Sequence, residues 1–132
     1  MRHVLKYQLP PLLWILLTLI VGYFPDLFFK SKMPLGSDKI AHAGVYFILC
    51  WLVRRAFYYQ EAFPQLKKSS ILGAFVFSCV YGMLDEFHQD FVPGRSSDVY
   101  NLVAGTGGAL LYVAIASIVS QRKNGDGPRA EG

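Results

Sequence analysis

Residues 85–101 read DEFHQDFVPGRSSDVYN, a run dense in acids and amides that also carries one histidine and one arginine. Side chains of this kind can hold a phosphate or ammonium group, move protons, or pair with one another. A second polar group, Ser37, Asp38 and Lys39 followed by His42, stands at the head of another apolar stretch. If the two groups meet, a composite site results, so the elements that carry them decide the chemistry.

Those elements are apolar. The chain has 132 residues, of which 53% are hydrophobic, and its mean hydropathy is positive. That composition is unusual for a soluble domain and implies an all-α integral membrane protein. Four apolar stretches cover 9–24, 40–53, 71–84 and 99–119, each near the length needed to span a bilayer. Four transmembrane helices are expected, over about 9–27, 37–54, 70–88 and 98–120. They form one domain, 1–121, followed by a flexible Gly- and charge-rich cytoplasmic tail, 122–132. The charge-free part of the second helix rises only about 21 Å at about 1.5 Å per residue, so it must recruit 37–41 and has a polar end.

Basic residues near helix ends orient the chain. Arg2 and Lys6 precede the first helix, Arg54, Arg55, Lys67 and Lys68 lie between the second and third, and Arg122, Lys123 and Arg129 follow the fourth. The other two connections, expected to be short, hold Lys30, Lys32 and Lys39, then Arg95 alone. Both termini are therefore expected in the cytoplasm, and both polar groups on the outer face of the membrane. The first segment offers no small-residue cleavage site around Gly22, Tyr23 and Phe24, so it is read as a helix rather than a signal peptide. The net charge of +4 sits in juxtamembrane segments that meet anionic lipid, and no nucleic acid is needed to explain it. Cys50 and Cys79 fall inside helices and are read as packing.

Helical spacing of about 100° per residue selects the converging faces. Asp38, His42 and Tyr46 share one stripe of the second helix. Ser78, Gly82, Asp85, Glu86 and Gln89 share one face of the third, and Asp98, Asn101, Gly105, Gly108 and Tyr112 one face of the fourth. Gly82, Gly105 and Gly108 are read as packing positions that let backbones approach. Three helices are thus expected to line one outward cavity. Arg95 is the expected partner of Glu86 or Asp98, because its fork engages carboxylates with two hydrogen bonds, and Lys39 is left for another acid. Phe91, Val92, Pro93 and Gly94 supply a turn, and Ser96, Ser97 or Asp98 a helix cap.

The stretch DKIAH with the following Tyr46, then YGMLDEFHQDFVPGRSSDVYNLVAG, resembles the VanZ-like family of small bacterial membrane proteins across nearly the whole chain. The family's spaced polar pattern falls on Asp38, Lys39, His42, Glu86, Gln89, Phe91, Gly94, Arg95, Asp98, Asn101 and Gly105. Asp85, His88 and Asp90 lie beside that pattern. The resemblance implies a four-helix membrane protein and, by analogy with the founding member, low-level resistance to the glycopeptide teicoplanin. It supplies no biochemical activity.

The reading taken from these residues is a non-enzymatic site of Asp38, Lys39, His42, Tyr46, Glu86, Gln89, Arg95, Asp98 and Asn101 that binds or shields a membrane lipid, a lipid-linked cell-wall precursor or a glycopeptide-related ligand. A second reading makes the protein an enzyme on a phosphorylated lipid, with Glu86 as base, His42 as acid and Arg95 on the phosphate. A third makes the network purely structural. His42 with Asp85, Glu86 and Asp98 are suitable metal ligands, but no HxxxH or HExxH spacing is present, so neither metal nor cofactor is expected. Oligomeric state is not legible.

Overall fold

The computed structural model describes residues 1–24 and 36–125. Lys30, Lys32, Arg129, the last residues of the first expected helix and 126–132 of the expected tail lie outside the described residues. A π-helical segment, Val4–Gln8, leads into α1, Leu9–Tyr23; then come α2, Ser37–Tyr59, a short α3, Pro64–Lys68, α4, Ser70–Gln89, and α5, Val99–Gly125. The continuous run Val4–Tyr23 and the helices α2, α4 and α5 are each long and apolar enough to cross a membrane. No strand occurs among the described residues.

The helices outrun the apolar stretches. α2 passes Arg54 and Arg55 to reach Tyr59, and α5 continues through Arg122 and Lys123 to Gly125. Arginine and lysine are good helix formers, so they mark where side chains leave an apolar medium without ending the backbone helix. The Arg54 guanidinium lies 5.1 Å from the Tyr58 ring, and that of Arg55 5.2 Å from Trp51. The connection between α2 and α4 is partly helical as well, with Pro64 in the first turn of α3, where its missing N–H costs nothing.

α2 is the central helix, packed against α5 and α4, while α1 lies outside and touches mainly α2. Tyr46, Leu49, Cys50 and Val53 of α2 meet Ala74 of α4 and Ala109 and Tyr112 of α5 in the core. Both cysteines are free thiols. α2 and α5 approach so closely at Gly108 that a Cβ there would collide with the Ala43 carbonyl. Gly82 and Gly105 admit the Tyr46 ring, which a Cβ on Gly105 would approach to 2.8 Å. Polar contacts hold α1 in place: Trp14 Nε1 donates to the Val45 carbonyl at 3.1 Å, and Gln8 Nε2 to the Ala56 carbonyl at 2.9 Å. Thr18 Oγ1 donates to Ile15, so Tyr81 donates its hydroxyl to Thr18, at 2.9 Å. The remaining faces carry exposed apolar side chains such as Leu12, Leu16, Val80, Leu84, Val103 and Leu111, as lipid contact requires.

Candidate functional site

The start of α2, the end of α4 and the start of α5 come together at one end of the bundle, so the two polar groups do meet. Gly36, at φ +92°, turns the chain into α2, and the Asp38, His42 and Tyr46 stripe descends from there. Between α4 and α5 the chain reverses through Gly94, at φ +80°, a value that favours glycine. Three carboxylates then fasten the start of α5. Asp90 Oδ1 accepts the Ser97 N–H at 2.7 Å, Glu86 Oε2 accepts the Asp98 N–H at 2.9 Å, and Asp98 Oδ1 accepts the Tyr100 N–H at 2.8 Å. Asp98 is therefore the cap of α5, while Ser97 serves through its backbone.

Lys39 closes this network. Its Nζ donates to Asp98 Oδ2, to Asn101 Oδ1 and, at 3.0 Å, to Asp38 Oδ2. The Lys39 ammonium, and secondarily the Tyr100 N–H, hold the Asp98 carboxyl below the usual carboxylate range. This corrects the pairing expected from the sequence. Lys39 takes Asp98, whereas Arg95 reaches no carboxylate within 4.0 Å among the described residues. Arg95 Nη1 instead donates to the Gly22 carbonyl at the end of α1, at 3.0 Å. That carbonyl lies in the last turn, where helix carbonyls lack partners within the helix and attract cations.

The His42 ring is oriented by its own helix, with Nδ1 donating to the Asp38 carbonyl at 2.8 Å. Its Nε2 faces Glu86 Oε1 across 3.8 Å, beyond hydrogen-bond reach. Deeper in the bundle, Tyr46 donates its hydroxyl to Asp85 Oδ2 at 3.1 Å, and Gln89 Nε2 approaches the same oxygen at 3.4 Å.

A cavity of about 160 Å³ lies between α1, α2 and α4. One wall is polar, with His42, Tyr46, Asp85, Gln89 and Arg95; the other is apolar, with Trp14, Leu17 and Val21 of α1. Gln89 is 3% exposed, and its Oε1 is buried without a hydrogen-bond partner. The expected residues thus divide in two. Asp38, Lys39, Glu86, Asp98 and Asn101 join α2, α4 and α5, with none of them on this cavity, and His42, Tyr46, Gln89 and Arg95 line it. The sequence reading left out α1, which walls this cavity, and expected α5 on it; Tyr46, Ser78, Gly82, Glu86, Asn101 and Gly105 of α2, α4 and α5 instead line a separate cleft of about 10 Å³. The structure also brings in Asp85, set aside above although it shares the helical face of Gln89, and Thr18 of α1. No group of three or more His, Cys, Asp or Glu side chains suited to a metal ion occurs among the described residues.

The chain matches one family model, described as VanZ/LLP1, over residues 2–120. No curated protein and no solved structure matches it.

Proposed function

Because the chain belongs to the VanZ/LLP1 family and has four helices fit to cross a membrane, we propose that it is a multi-pass protein of the bacterial cytoplasmic membrane whose outward cavity binds the headgroup of a lipid or lipid-linked cell-wall precursor. The observation that carries this reading is the two-faced cavity. Its polar wall presents a guanidinium, a carboxylate and an unpartnered buried amide oxygen, a set that suits a ligand carrying an anionic group close to a hydroxyl or ammonium donor. Its apolar wall belongs to the peripheral α1. At about 160 Å³ it falls short of the ~300–1,000 Å³ of drug-sized sites, so a headgroup enters while the chains stay along α1. Any effect on teicoplanin susceptibility follows from the same act of binding or shielding.

The geometry favours binding over hydrolysis. An enzyme of the kind drawn from the sequence needs Glu86 beside the ligand, yet that carboxylate is engaged by the Asp98 N–H and lies off the cavity. Trp14 lines the cavity, so its fluorescence, in a Trp51→Phe background, reads occupancy directly. Titration of the purified protein with short-chain phosphatidylglycerol and phosphatidylethanolamine should give a saturable change for at least one, weakened about tenfold or more in Arg95→Gln and Gln89→Leu, as expected when a buried polar partner is lost. A flat response to both lipids and to a lipid-linked precursor rejects the reading. Release of product with turnover lost in Glu86→Gln establishes the enzyme instead.

A further inference from the structure

The opposite end of the bundle holds a larger recess. It has a volume of about 790 Å³ and lies against α4 and α5, beneath α3. Its mouth is basic, formed by Arg54 of α2 with Lys67 and Lys68 of α3; its floor is apolar, with Phe75 of α4 and Leu110 and Val113 of α5. The cations are held together, since Arg54 and Lys67 lie over the same Tyr58 ring, at 5.1 and 5.6 Å. None of the three has a carboxylate within 4.0 Å among the described residues. Arg54 Nε is in addition buried without a hydrogen-bond partner. α4 starts in the same wall at Ser70 with no side-chain cap, which adds the partial positive charge of a helix start.

Gathering like charges and burying a donor is unfavourable unless an anion answers them. A basic mouth over an apolar floor between membrane helices is complementary to one class of ligand, a phosphate carried on acyl chains. We infer that this recess is a binding site for an anionic phospholipid, whose phosphate lies among Arg54, Lys67 and Lys68 and whose chains run along Phe75, Leu110 and Val113. It is separate from the cavity at the other end and does not depend on the function proposed for it.

The test is native mass spectrometry of the full chain, equilibrated with equal amounts of phosphatidylglycerol and phosphatidylcholine of the same acyl chains. The wild type should retain phosphatidylglycerol in preference. The Lys67→Gln/Lys68→Gln double variant should lose that preference by about tenfold or more. Arg54→Lys, which keeps the charge and removes Nε, should lose part of it. An Arg2→Gln/Lys6→Gln double variant, which removes as much charge away from the recess, should retain it. Lys67 and Lys68 are exposed, so their variant folds and decides the matter even if Arg54→Lys does not. Equal retention of both lipids by the wild type overturns the proposal, as does an equal loss in the Arg2/Lys6 control. Displacement of phosphatidylglycerol by millimolar inorganic phosphate also overturns it, because the site would then be one for the free ion.

Discussion

Asp98 does three things at once: it caps α5, offers its own N–H to Glu86, and takes the Lys39 ammonium. Because its folded pKa is held low, chiefly by Lys39, its ionised form stabilises the fold at neutral pH and down to the ordinary carboxylate range. That contribution is lost only as pH falls through the lower folded value. The melting temperature of wild type should therefore exceed that of Asp98→Asn by a constant margin from about pH 7 to pH 5, with the margin shrinking below about pH 4; a margin that changes near neutrality contradicts the assignment. Salt should reduce it, since the pair is partly exposed. Glycines give a sharper contrast. Gly108→Ala drives a methyl into the Ala43 carbonyl, whereas Gly107 has open space around its Cβ position. Gly108→Ala should cost about 1–3 kcal/mol or abolish folding, and Gly107→Ala should be neutral, as read from thermal denaturation in detergent.

At the scale of elements, α1 is the helix least committed to the bundle, joined by a few polar contacts and little shared core. A double-mutant cycle of Thr18→Val and Tyr81→Phe should give a coupling of about 0.6 kcal/mol, the average for hydrogen bonds between membrane helices; a coupling near zero would show that the hydroxyls do not bond. The helices themselves were legible from hydropathy, and 3.6-residue periodicity, which acts within a single helix, put Tyr46 of the Asp38, His42 and Tyr46 stripe against Gly105; Asp38, at the head of that stripe, is exposed. What was not legible depends on reach and on neighbours. Lys39 is off that stripe by its Cα position, yet its long flexible stem carries the ammonium to Asp98 and Asn101. Arg95 finds a backbone carbonyl of α1, and no pattern of charged residues announces a carbonyl. α3 was missed because its five residues are too few to show a period.

For the molecule as a whole, the two ends differ in kind. One gathers carboxylates, amides and a histidine with Arg95 and Lys39 around a small cavity, and the other sets Arg54, Lys67 and Lys68 around a larger recess. The sidedness proposed above rests on the basic end, which the positive-inside rule expects in the cytoplasm. Fluorescent-protein fusions after Gly125 should be bright, and alkaline phosphatase fused there inactive; an active phosphatase would invert the protein and put the carboxylate-rich cavity inside the cell. The crossing of α2 over α5 at Ala43 and Gly108 has a practical consequence. With the Ala43 carbonyl against the Gly108 backbone, it is a spacing that substitution at Gly108 cannot adjust, and so it serves as a fixed datum. An engineer refitting either compartment for a different ligand has freedom in the side chains on both sides of that mark and none at it.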